Sequence, residues 1–280
     1  MKKIFFILLI MITIFSYVQK NAFAKELHIA VSIIPQARFA EEILGDKGKV
    51  QCLITEGGSP ATYAPSPLAL AELSHADIYF TIGVATENNN ILNNLPDTVK
   101  IVPLDSLVRE EYPDLTIGNN RDPHIWLSPK RAIIMVKKMA EYIAMLDVNN
   151  KDFYLANAEN YIQKIIETDK QAKEILSSIK NKKFMVFHPA FGYLADDYGL
   201  EMFALEHHGK EAGAKHLQEM IDIAKKNSIK VIFHQKEISS RQVEAFASEI
   251  GGKAVELNPL SYDYTENLLL LAKSIKDAQN

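Results

Sequence analysis

Residues 151–179, KDFYLANAENYIQKIIETDKQAKEILSSI, contain neither glycine nor proline. Tyr154, Ala158, Tyr161, Ile165, Ala172, Leu176 and Ile179 recur at approximate helical spacing, which predicts one long helix with a narrow apolar stripe. At 1.5 Å per residue such a helix runs about 40 Å, long enough to back two adjacent lobes. The alternative is two ordinary helices packed within one domain. Asn149-Asn150 resets the chain just ahead of it. Upstream, Ser128-Pro129 offers an N-cap followed by proline at the first helical position, which opens a helix to about Leu146.

On either side of this helical stretch lie matching sets of short apolar, β-branched runs. The first set is Leu27 to Ile34, Val50 to Thr55, Asp77 to Gly83 and Val99 to Leu104. The second is Lys183 to His188, Leu200 to Glu206, Ile229 to His234 and Lys253 to Leu257. Gly, Pro or Asn bounds these runs, and polar or helical pattern follows them, as in Leu217 to Lys226 and Arg241 to Ile250. That alternation predicts an α/β fold of two lobes, each a four-stranded parallel sheet flanked by helices, with a cleft between them. The boundaries expected are an N-terminal lobe over 25–148, a linking helix over 149–180 and a C-terminal lobe over 181–280. Lobes joined by one stiff helix should hinge less than lobes joined by flexible strands.

Residues 1–24 read as an export signal rather than as fold. Lys2 and Lys3 precede an almost unbroken apolar run from Ile4 to Val18, and Ala22-Phe23-Ala24 supplies the small-residue cleavage pattern of a secretory signal peptide. The run is shorter than the roughly 20 residues a bilayer span needs. The single cysteine, Cys52, lies far from the cut, so there is no lipobox cysteine and the mature chain is expected free in the periplasm. One cysteine also excludes an intrachain disulfide and a CxxC zinc site. A net charge of −4 argues against a nucleic-acid binder that depends on a basic face.

Eight histidines carry more information, because imidazole is the commonest protein metal ligand. His124 sits in Asp122-Pro123-His124-Ile125-Trp126-Leu127-Ser128-Pro129, a stiff loop just before a helix. His188 ends the apolar run from Lys183, and ligands of open α/β sheets bind beyond the carboxyl ends of strands. Either one alone is more often a structural residue. Together, one in each lobe, they are placed to face each other across a cleft.

The order of signal peptide, βα lobe, DPHIWLSP, long helix, HPAFGYLADDYGL and second βα lobe resembles the zinc- and manganese-type solute-binding proteins of bacterial ABC transporters, from about Leu27 to the last helix. The segments Gly209-Lys210-Glu211 and Val231 to Ser240 resemble family sequence less specifically. The resemblance implies that His124 and His188 are two of the family's metal ligands. Two others are missing. Ala61, in Pro60-Ala61-Thr62-Tyr63-Ala64-Pro65-Ser66-Pro67, stands where many members carry histidine, and Asn258, in Asn258-Pro259-Leu260, stands where they carry aspartate. Alanine has no donor atom, and an amide oxygen is a poor partner for zinc.

Replacement donors are therefore expected at strand ends of the second lobe: His234, and His207 or His208, with His208 favoured because it borders Gly209. The expected set is His124, His188, His234 and His208 around Zn²⁺. Nitrogen donors favour zinc over Mn²⁺ or Fe²⁺. Asp122 and Glu237 are candidates for orienting an imidazole. His28, expected to face solvent, and His75 and His216 are read as ordinary. The function implied is capture of a divalent metal, most favourably zinc, and its delivery as a monomer to an inner-membrane ABC permease. The alternative is a divergent receptor of the same fold that has lost tight metal binding and carries another small ligand. No enzyme is expected, since neither an H-E-x-x-H nor a G-x-S-x-G motif is present.

Overall fold

The computed structural model describes residues 26–88, 91–206, 212–236 and 241–279. The leader expected over 1–24 lies outside them. The N-terminal half runs β1 (Leu27–Val31), α1 (Ile34–Leu44), β2 (Gly48–Cys52), α2 (Pro67–Leu73), β3 (Ile78–Thr81), α3 (Ala85–Asn88), β4 (Lys100–Pro103), α4 (Leu104–Arg109) and a small hairpin of β5 (Thr116–Ile117) and β6 (Asn120–Arg121). Two long helices follow, α5 (Pro129–Leu146) and α6 (Lys151–Ser177). The C-terminal half runs β7 (Lys183–Val186), α7 (Gly192–Tyr198), β8 (Glu201–Ala204), α8 (Ala214–Lys226), β9 (Val231–His234), α9 (Arg241–Glu249), β10 (Lys253–Glu256) and α10 (Tyr264–Asp277).

Each half builds a four-stranded sheet, ordered β2-β1-β3-β4 and β10-β9-β7-β8. Every pairing within them is parallel. The second order, read from its other edge, is β8-β7-β9-β10, so both lobes step out to one side and then reverse. The reversal falls between β1 and β3 in one sheet and between β7 and β9 in the other, and it leaves a crevice at the strand carboxyl ends.

Side-chain alternation divides the interior into layers. In β7, Phe184 and Val186 turn inward with Ile29, Val31 and Phe80 of the other sheet to form one continuous core against α1, α5, α6 and α10. Met185 turns outward to a separate cluster with Met220, Ile232 and Phe246. In β1, Ala30 likewise faces its own outer cluster with Leu73 and Tyr79. The stripe read from residues 151–179 is the inner face of α6, where Tyr154, Ala158, Tyr161, Ile165, Ala172 and Leu176 are buried. Phe39 of α1 packs against Tyr161 at 6.0 Å and edge-on to Tyr264 at 5.0 Å. Each large side chain so buried contributes on the order of 1.5–3 kcal/mol. The lobes thus share a packed core as well as a helix, and close-packed interiors do not hinge cheaply.

Two expectations need correction. The first strand stops at Val31, and Ile34 already begins α1 with Pro35 in its first turn, where proline's fixed φ suits a helix start. His28 does not face solvent. It is 8% exposed, because β1 is covered on both faces.

Candidate metal centre

The segment from Asp122 to Ser128 folds on itself. The Asp122 carboxylate is 1% exposed, and its Oδ1 accepts from the His124 backbone N–H at 2.9 Å and lies 2.7 Å from the His124 Nδ1. A single 3₁₀ turn over Ile125–Leu127 follows, and Ser128 then caps α5, its Oγ accepting from Arg131 N at 3.4 Å. A carboxylate at Nδ1 places the ring proton there and leaves the Nε2 lone pair free.

His188 lies two residues beyond β7. Its Nδ1 is 2.6 Å from Glu206 Oε2. Glu206 is set by strand pairing, since its backbone N–H donates to Phe187 O at 2.8 Å. The two imidazoles meet with their Nε2 atoms 3.3 Å apart and their planes at 76°. Nitrogens sharing a tetrahedral zinc at about 2.0–2.1 Å stand roughly 3.3–3.4 Å from each other. With a carboxylate on each Nδ1, two lone pairs converge at this point, an arrangement that a shared cation relieves. Burial holds the His124 pKa below the ordinary imidazole value, against the raising effect of Asp122.

Contacts between the lobes hold the pair in place. Tyr193 accepts from Leu115 N at 3.0 Å and donates to Asp122 O at 3.1 Å, so the second lobe grips the loop that carries His124. Ser128 Oγ donates to Asp197 at 2.5 Å. Trp126 Nε1 donates to Pro259 O at 2.8 Å, with the indole ring 5.2 Å from His124. Gly192 begins α7 against Asp122, where a Cβ would stand 2.7 Å from Oδ2.

Both histidines open onto a cavity of about 390 Å³, whose walls include Ala61, Trp126, Glu206, Gln235 and Pro259. The structure brings His124 and His188 together but does not bring His234 to this wall. Successive strand residues point to opposite faces, so Gln235 lines the cavity while the His234 Nδ1 sits 3.3 Å from the Gln235 carbonyl. His207, His208 and Glu237 lie outside the described residues, as does Gly209-Lys210-Glu211. Among the described residues, no group of three or more His, Cys, Asp or Glu side chains is arranged to hold a metal ion. Asn258 serves a turn, its Oδ1 accepting from Leu260 N at 2.8 Å. The sequence reading missed Glu206. The available signal was that residues just past neighbouring parallel strands meet, which requires knowing that β7 and β8 are adjacent.

Two parallel lobes on a common helical spine, with paired imidazoles in the crevice between them, define a two-lobed solute-binding protein. Residues 29–278 match the family described as zinc-uptake complex component A, periplasmic, and the chain belongs to that family. It is 34% identical over 259 residues to the zinc-binding lipoprotein AdcA of Streptococcus pneumoniae, covering 86% of this chain and 51% of that protein. The chain therefore spans about half the length of that relative. The high-affinity zinc uptake system protein ZnuA of Bacillus subtilis is 30% identical over 251 residues, covering 84% of this chain and 79% of that protein. The crystal structure of ZnuA superposes with a TM-score of 0.86 at 34% identity, covering 91% of this chain and 100% of that one. The Zn(II)-bound ZnuA-like domain of Streptococcus pneumoniae AdcA does so with a TM-score of 0.76 at 30% identity, covering 91% and 99%. Among the described residues, no helix is long and apolar enough to cross a membrane.

Proposed function

We propose that the protein captures Zn²⁺ between His124 and His188 and delivers it to an ABC permease as the solute-binding component of a zinc-uptake system. The observation that carries this reading is the 3.3 Å separation of the two Nε2 atoms, each ring being held at Nδ1 by a carboxylate. Neutral imidazoles suit zinc better than Mn²⁺, which favours oxygen donors. The relatives named for zinc point the same way. The protein acts as a monomer after export, with no catalytic step. Any further donor comes from the sequence candidates, of which His208 is the first to test and His234 the control placed off the cavity.

The test is a competition titration of zinc against the protein and its His124→Ala, His188→Ala, His207→Ala, His208→Ala and His234→Ala variants. Loss of either member of the pair is expected to weaken binding at least a hundredfold. Unchanged affinity in both His124→Ala and His188→Ala ends the proposal.

A further inference from the structure

We propose that Glu87 is a positioning residue for the metal centre: its buried carboxylate holds the Ile82-Gly83 turn against Arg121 and thereby fixes the hairpin that leads into Asp122 and His124. This rests on the zinc reading above. Glu87 is 1% exposed, and its hydrogen bonds reach neither histidine. Its Oε1 accepts from Ile82 N at 2.8 Å and from the Ser32 hydroxyl, and its Oε2 accepts from Gly83 N at 2.7 Å. Burial raises the pKa of this carboxyl, and the three donors act against that shift. Ser32 directly follows β1, and its Oγ lies 2.8 Å from the Tyr79 hydroxyl of β3. The carboxylate is therefore anchored to β1 and β3, the two strands between which the first sheet reverses.

A cation holds the same turn from its other side. Arg121 Nη2 donates to Ile82 O and Gly83 O at 3.0 and 2.9 Å, while Asp105 and Asp114 pair with the guanidinium at 3.7 and 3.8 Å. The peptide unit joining Ile82 to Gly83 thus has its N–H on Glu87 and its C=O on Arg121. Hydrogen bonds to charged groups are stronger than neutral ones. Gly83, at φ +79°, permits the approach, since a Cβ there would stand 2.1 Å from Arg121 Nη2. Arg121 ends β6, and the next residue is Asp122, whose N–H donates to Leu115 O at 2.8 Å and whose carboxylate orients His124. One residue before Glu87, Thr86 Oγ1 donates to Pro60 O at 2.8 Å, which ties the cavity wall of Ser59, Pro60 and Ala61 to the same short helix. Metal–ligand distances hold to within about 0.2 Å, so a small displacement of this frame is felt at the His124 Nε2.

The experiment measures zinc affinity by indicator competition in the wild-type protein and in Glu87→Gln, Ser32→Ala and Ile143→Val, at a temperature where circular dichroism shows each one folded. Glu87→Gln keeps the size of the side chain but loses an acceptor, and it is expected to weaken zinc binding about tenfold. Ser32→Ala removes one of the three donors to the carboxylate and should weaken binding by a smaller factor, about threefold. Ile143→Val trims a fully buried side chain about 22 Å along α5 from Ser128. It should lower Tm and leave zinc affinity unchanged. Emission of Trp126, which packs on His124, should shift in metal-free Glu87→Gln and not in Ile143→Val. Zinc affinity or Trp126 emission unchanged in folded Glu87→Gln overturns this inference alone, as does an equal loss of affinity in Ile143→Val. Where Glu87→Gln does not fold, unchanged affinity in Ser32→Ala overturns it. Absence of zinc binding by the wild-type protein overturns the zinc reading and this inference with it.

Discussion

Gly192 leaves room for the Asp122 carboxylate: a Cβ at residue 192 would lie 2.7 Å from Asp122 Oδ2, closer than real Cβ contacts come. The two sequence motifs are therefore one piece of machinery. The glycine of HPAFGY makes space for the aspartate of DPHIWLSP, and that aspartate orients His124. Gly192→Ala should displace the carboxylate and weaken zinc binding about tenfold to a hundredfold, the usual cost of losing an outer partner of a metal ligand. Alanine favours a helix over glycine by roughly 1 kcal/mol, so part of the stability cost is offset at this helix start. Calorimetric zinc titration paired with thermal melts should show a large affinity loss beside a small change in Tm. Equal zinc affinity in the variant contradicts the coupling.

Glu206→Gln addresses the other ring. Glutamine can still hydrogen-bond the His188 Nδ1, but it removes the charge that makes the imidazole a stronger donor. Zinc affinity is expected to fall by about tenfold, and Glu206→Ala, which leaves Nδ1 without this partner, by more. Competition with a fluorescent zinc indicator distinguishes the two. If glutamine and alanine are both silent, the carboxylate has no part in binding.

The chain's one tryptophan provides a direct reporter. Trp126 packs 5.2 Å from the His124 ring and is 1% exposed, so zinc arriving at His124 should change its fluorescence with the same midpoint as calorimetry. Trp126→Phe keeps an aromatic wall but leaves the Pro259 carbonyl without its indole donor. Losing such a buried bond costs about 1–3 kcal/mol, which for a chain of this size lowers Tm by about 2–4 °C per kcal/mol. An unshifted Tm would mean that the link across the lobes contributes nothing to stability.

Periodicity and punctuation are enough to read the eight main strands and the α6 stripe, because the central strands β1, β3, β7 and β9 are short apolar runs and Gly and Pro, which weaken or break helix interiors, are absent from 151–179. The β5–β6 hairpin was not readable, since two-residue strands have no period to detect. Nor was the shared core: the pattern of Phe184, Met185 and Val186 shows that they are buried but not which of two layers each one faces. His28 is buried despite its polar side chain, because the strand that carries it is covered on both faces, which its own residue type does not reveal. The site was legible only in part. His124 and His188 stood out beside prolines in stiff segments, and Asp122 lies two residues from its ring. Glu206 is 18 residues from His188 and reaches it only through the pairing of β7 with β8. His234 ends β9, while Gln235, the next residue, lines the cavity, a distinction that depends on one residue of register.

Acid should destabilise the metal-free fold before it displaces zinc from His124. Burial lowers the His124 pKa below the ordinary value, with Asp122 pulling it back up only in part, and burial followed by the Lys49 charge lowers that of His28. A group whose pKa is depressed by folding takes up its proton first in the unfolded chain. As pH falls through about 6.5, the unfolded state binds more protons than the folded one, and stability declines until the folded groups titrate as well. Zinc requires the neutral ring. Proton competition at His124 therefore begins only below the ordinary imidazole range. Tm of the metal-free protein should start to fall as pH drops below about 6.5, and zinc should restore most of the loss. Parallel zinc titrations and melts at half-unit steps check both curves. A Tm that rises on acidification reverses the sign of the linkage.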